Sequence, residues 1–290
     1  MTPKIGICID RYQIKFGLLR ALEIAKEIGA DAVDVMINHE GHEINSVDNP
    51  NSIYSKGDEA ITAYYAKVKE KADELGIEIY QTHGRMLGYM LDEKHNQITL
   101  ENARIDCLVT AVLGAQHCVM HGASRHKIGL ETPNEVLRDV NYHMFRDIIP
   151  YALQYGICIA SETLGEDSDE FFYKYKMLEK VPGADKALRI CLDVGHTNVG
   201  IHKKGITVGQ VVRQYGENIS CLHLHDNNGL KDQHKMPGTG DIDWKELLSA
   251  LKDIGYQGVY NLEIKLEEFG WDLIISYGRF AIEAFRGMFL

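Results

Sequence analysis

ICIASET (157–163), LRICLDVGH (188–196), ISCLHLHD (219–226) and GVYNLEI (258–264) are four apolar runs that each close on a carboxylate or an imidazole. Nearly continuous hydrophobic runs of this length suit parallel strands buried on both faces. Working toward the N-terminus, KIGICID (4–10), AVDVMIN (32–38), IEIYQTH (77–83) and HCVMHG (117–122) have the same character. Between them lie amphipathic stretches that end on glycine. Leu18, Leu19, Leu22, Ala25 and Ile28 recur at helical spacing before Gly29; residues 58–75 precede Gly76, and 98–113 precede Gly114. Residues 133–155 open with Thr132 before Pro133, a cap followed by a favoured first-turn residue, and end at Gly156; residues 243–254 end at Gly255.

Eight strand–helix units in 290 residues predict a (β/α)8 TIM barrel, a single domain over 1–290, rather than an open doubly wound sheet, for which a phosphate-loop glycine fingerprint is missing. The polar, turn-rich segment 39–57 reads as a long loop over the top of that barrel. The chain is 45% hydrophobic and 25% charged, with a formal net charge of −11, which argues against a nucleic-acid backbone as partner. No leader-like N-terminus and no long apolar run is seen, so a cytoplasmic protein without membrane contact is expected. The six cysteines lack CxxC spacing and read as reduced core thiols.

The chemistry is in the strand ends. His83, His121, Glu162, Asp193, His223 and Glu263 follow one another at roughly 30 to 40 residues, one barrel unit per step. The carboxyl ends of barrel strands open onto one face, so these six side chains should converge. Carboxylates and imidazoles crowded together need a cation to offset desolvation and like-charge repulsion. The mixed oxygen and nitrogen set suits a divalent ion such as manganese, cobalt, zinc, magnesium or iron. His225 points to the same side of its strand as His223 and would replace it as a ligand if the register moved by two.

The motifs SET (161–163), DVGH (193–196), HLHD (223–226), DQHKMPGTGDIDW (232–244) and NLEI (261–264) resemble those of the xylose isomerase-like TIM barrel superfamily. That superfamily includes sugar epimerases and isomerases, inosose dehydratases, hydroxypyruvate isomerases and the endonuclease IV family. The resemblance implies Glu162, Asp193, His223 and Glu263 as metal ligands and His196 as a substrate contact. It implies a metal-dependent isomerase or epimerase of a sugar or sugar-derived keto acid, with Glu162 and Glu263 as acid and base around an ene-diolate. Relatives are often oligomers, so a homo-oligomer is an open expectation. An inosose dehydratase-type lyase is one alternative. A zinc phosphodiester hydrolase of the endonuclease IV type is another: His83 and His121 would join Glu162, while Asp232 and His234 would join His196. Arg85, Lys94 and Arg125 sit on expected top loops where a substrate carboxylate or phosphate could be held. Trp244 is the first aromatic residue to consider as a sugar platform.

Overall fold

The apolar runs become strands because a barrel buries both of their faces. The computed structural model describes residues 3–37, 46–85 and 88–289. Its strands are β1 (Ile5–Cys8), β2 (Ala32–Met36), β3 (Glu78–His83), β4 (His117–Met120), β5 (Cys158–Glu162), β6 (Leu188–Asp193), β7 (Ile219–His223) and β8 (Tyr260–Leu262). All pair in parallel, in the order β7-β6-β5-β4-β3-β2-β1-β8. Closure falls just past the end of β7. Leu224 N donates to Asn261 O (2.8 Å) and Glu263 N donates to Leu224 O (3.0 Å), which brings the tail of β7 beside that of β8.

Val119, Ala160, Cys191 and Cys221 pack together with Tyr80 in the interior, where small side chains fill a narrow space. Their strand neighbours Cys118, Ile159, Ile190 and Leu222 belong to the larger core beneath the helices. Two register shifts adjust what faces inward. Val33 pairs with Ile79 but Asp34 with Gln81, so Tyr80 is an extra residue on β3. Ile190 pairs with Ile219 but Cys191 with Cys221, so Ser220 is extra on β7. The second shift sets Asp193 directly opposite His223.

The helices follow the expected rhythm, with corrected ends. Asp58–Leu75 and Asn134–Tyr155 stop at Gly76 (φ 61°) and Gly156 (φ 68°), left-handed caps whose N–H groups bond back to the last turn. The latter helix starts one residue late: Pro133, lacking an N–H, occupies the cap position, and Thr132 does not cap it. The expected helix 98–113 begins instead at Glu93, because Asp92 caps it by accepting from His95 N (3.2 Å). Two short helices, Asp10–Phe16 and Val194–Ile201, lie where extended chain was expected to continue. Of the expected loop 39–57, residues 39–45 are outside the described residues. All six cysteines are free thiols. Among the described residues no helix is long and apolar enough to cross a membrane.

Candidate metal centre and active site

Each functional side chain is placed by a strand end. His83, Glu162, Asp193 and His223 are the last residues of β3, β5, β6 and β7, while Glu263 follows β8 and His121 follows β4. Candidate ligand atoms of Glu162, Asp193, His223 and Glu263 all lie within 4.8 Å of one another. His223 is fully buried, and its Nδ1 is 3.0 Å from Glu162 Oε1, 3.0 Å from Glu263 Oε2 and 4.0 Å from Asp193 Oδ2. A single ring nitrogen can carry one proton, so it can donate to only one of these oxygens at a time. Glu263 Oε2 lacks hydrogen-bond geometry to any described donor although it is buried. An orphaned carboxylate oxygen at the centre of three acids and one imidazole is the donor chemistry a divalent cation satisfies, and the residues fit such an ion.

The opposite face of the His223 ring is held by a residue not singled out from the sequence. Asp34, wholly buried on β2, accepts from His223 Nε2 (2.9 Å) and from Gln81 Nε2 (2.7 Å) through the same Oδ2. With an ion bound, that contact would keep the ring proton on Nε2 and free the Nδ1 lone pair for the ion.

Around this centre the other expected residues divide into two groups. His83 Nε2 and His121 Nε2 lie 3.2 and 2.8 Å from Glu162 Oε2, on the β3–β4 side. On the β6–β7 side, His225 Nε2 reaches both Asp193 oxygens (2.9 and 3.1 Å) and its ring stacks on His234 at 4.0 Å. It is therefore a partner of Asp193, while His223 holds the central position. His196 is positioned twice. Its backbone N–H donates to Asp193 Oδ1 (2.7 Å) as that residue caps the helix Val194–Ile201, and its Nδ1 meets Thr163 O (2.9 Å). This leaves Nε2 toward the cavity, 3.4 Å from Asp232 Oδ2. Asp232 also accepts from His234 Nε2 (2.9 Å), and His234 adopts a left-handed φ of 47°, uncommon outside glycine. Ligand atoms of His196, Asp232 and His234 form a further group within 4.8 Å.

The electrostatics describe a site balanced by imidazolium charge. Burial works against ionisation of Glu162, but His121 and His223 outweigh it and hold the carboxyl well below its usual range. Asp193 is opposed in the same way by burial and pulled down to about 2 by His196 and His225. Burial disfavours a charged His83, yet its contact with Glu162 raises it to about 9. His223 and His196 are likewise raised by the surrounding acids against burial. His121 is lowered instead, because for it burial exceeds the pull of Glu162. A divalent ion among the carboxylates would take over the charge these protons carry.

The site opens into a cavity of about 250 Å³ whose walls include His83, His121, Glu162, His196, Asp232 and Glu263. Asp10, Arg11 and Lys265 also line it, and none was singled out from the sequence. A larger hollow of about 700 Å³ lies at the other end of the barrel, between Lys4, Tyr80 and Tyr256, and its described lining residues include no carboxylate or imidazole side chain.

None of Arg85, Lys94, Arg125 and Trp244 is among the residues that line this cavity. Arg85 does not face substrate: it is buried, pairs with Asp106 (2.7 Å) and lies 4.0 Å over the Tyr54 ring. Arg125 Nε donates to Thr132 O (3.0 Å) and fastens its own loop, and Lys94 is exposed in the first turn of the helix Glu93–Val112. Trp244 is not a sugar platform. Its Nε1 donates to buried Asp226 (2.8 Å) and its ring packs edge-on against Phe285.

A profile of the xylose isomerase-like TIM barrel family matches residues 22–279. An uncharacterized protein of Methanocaldococcus jannaschii is 30% identical over 182 residues, covering 60% of this chain and 59% of its own length. A D-psicose 3-epimerase of Enterocloster bolteae is 33% identical over 76 residues, 26% of this chain and 22% of its own. The chain thus spans about three-fifths, or less, of these curated relatives. Among solved structures, the IOLI protein with a bound zinc atom superposes with a TM-score of 0.70 at 17% identity, over 98% of this chain and 96% of that one. The profile match over most of the chain, on a closed eight-stranded barrel, shows that the chain belongs to the xylose isomerase-like TIM barrel family.

Proposed function

We propose that the protein is a divalent-metal-dependent isomerase or epimerase of a sugar or sugar-derived keto acid. The observation that carries this reading is the pair of carboxylates, Glu162 and Glu263, meeting at His223 Nδ1 from β5 and from the end of β8. Glu162, Asp193, His223 and Glu263 would hold the ion, whose Lewis acidity favours proton loss beside a carbonyl. Glu162 ends β5 and Glu263 follows β8, so one takes a proton from a substrate carbon while the other returns it. Proton loss gives an ene-diolate, and the site's histidines suit that charge: His196 presents Nε2 to the cavity and positions a substrate oxygen. The D-psicose 3-epimerase relative and the zinc bound in the IOLI structure support the reaction class and the ion.

The second reading is a zinc phosphodiester hydrolase of the endonuclease IV type. The additional groups His196–Asp232–His234 and His83–Glu162–His223 favour it, since they offer places for more than one ion. The net charge of −11 opposes a DNA partner. Incubating metal-loaded protein with ketoses and keto acids in deuterated water, beside an abasic oligonucleotide, separates the two. Carbon-bound deuterium without strand incision is the expected result, while incision without exchange removes the isomerase reading. Loss of water from the substrate would mark a lyase instead.

A further inference from the structure

Two cations, Arg11 and Lys265, line the cavity, and the ion pairs of Arg11 are long. Arg11 lies in the short helix that follows β1, and Lys265 lies just past β8; β1 and β8 are hydrogen-bonded neighbours. Both line the cavity that holds Glu162 and Glu263. Arg11 Nε is 3.5 Å from Asp10 and 3.6 Å from Glu267, without a hydrogen bond to either. Lys265 is fixed by its backbone, whose N–H donates to His234 O (3.0 Å). Among the described residues, neither side chain donates a hydrogen bond.

The rest of the wall sharpens the point. Among the described residues the lining contains no serine, threonine, asparagine, glutamine, tyrosine or tryptophan, the groups that usually bind neutral hydroxyls. Its polar members are the acids, the imidazoles and these two cations. Arg11 and Lys265 are the permanent cations among the described lining residues, so a substrate anion lying away from the ion-binding carboxylates is best met by them. A volume of about 250 Å³ lies at the small end for ligand cavities and suits a short substrate.

We infer that the substrate is a short hydroxy-carbonyl compound bearing a terminal anion, a carboxylate or a phosphate, held by Arg11 and Lys265 while its reacting carbon lies between Glu162 and Glu263. This rests on the isomerase reading and narrows it to acidic substrates.

The test compares deuterium exchange by metal-loaded protein on three matched series: neutral ketoses, their terminal phosphates, and keto acids of the same chain length. Whichever anionic series is turned over should exceed the neutral one in kcat/KM by about 10- to 100-fold, as a charged hydrogen-bond pair would give. The ratio of phosphate to carboxylate tells the two anions apart. In Arg11→Gln and Lys265→Gln the preference should fall by about tenfold each, mainly through KM, and Arg11→Lys should recover part of it. Thermal melting confirms that the variants fold. Neutral ketoses exchanging as fast as their anionic counterparts would overturn the anion site and leave the isomerase reading intact. Exchange in none of the series would overturn both.

Discussion

Replacing Asp34 by asparagine tests how the centre is held. Asp34 is wholly buried, and its Oδ2 receives the His223 Nε2 proton at 2.9 Å. Asparagine keeps the shape and can still accept through its carbonyl oxygen, but the charge is gone. A bond with a charged partner contributes about 1.5–3 kcal/mol and a neutral one about 0.5–1.5 kcal/mol. The difference, about 1–2 kcal/mol, corresponds to a five- to thirtyfold weaker hold on zinc or manganese. That is near the low end of what loss of a carboxylate behind a ligating histidine costs. Competition against a chromophoric chelator at neutral pH measures the effect directly, and circular dichroism of the metal-free variant checks that the barrel forms. Affinity within twofold of the parent protein would refute the reasoning, because His223 would then need no charged partner to present Nδ1.

Three further outcomes follow from the same structure. Against burial, Glu162 raises His83 from 6.5 to about 9 in the folded, metal-free chain, so that stability is full below pH 6.5 and fades as pH rises through 9. The loss from this residue alone is about 3 kcal/mol; metal-free protein should unfold at lower urea at pH 9 than at pH 6.5, and His83→Gln should flatten that slope. Gly195→Ala drives a methyl group into the His225 ring, which is held on Asp193; metal affinity should fall while the melting temperature drops by several degrees, and an unchanged affinity would show that His225 does not fix Asp193. Arg85→Ala leaves Asp106 buried without its cation; denaturant titration should show a loss of about 3 kcal/mol, with the phosphate-to-neutral substrate ratio unchanged.

Most of the centre was legible because the barrel repeat is written into the chain. His83, Glu162, Asp193 and His223 each close an apolar run, and parallel strands in a closed sheet must deliver such ends to one face. What was not legible depends on register and packing. Asp34 sits inside AVDVM, where an acid reads equally as the outward residue of a strand; the extra residue at Tyr80 is what brings Gln81 level with it inside. Arg85 follows a strand end and looks like a substrate contact, but Asn102 and Asp106, one turn apart on the next helix, pack against it, a tertiary contact no local pattern announces. Asp10 and Arg11 were hidden by a seven-residue helix too short to show periodicity. Trp244 has the position of a platform, yet its N–H is claimed by Asp226, a contact made across the loop 226–243 that no local pattern announces.

The central claim is that Glu162, Asp193, His223 and Glu263 jointly hold a catalytic ion. Anomalous diffraction at the manganese edge, from crystals grown with manganese, tests it most directly. The account predicts a strong peak among these four side chains, close to His223 Nδ1. A strongest peak at His196, Asp232 and His234, with none among the four, would contradict it.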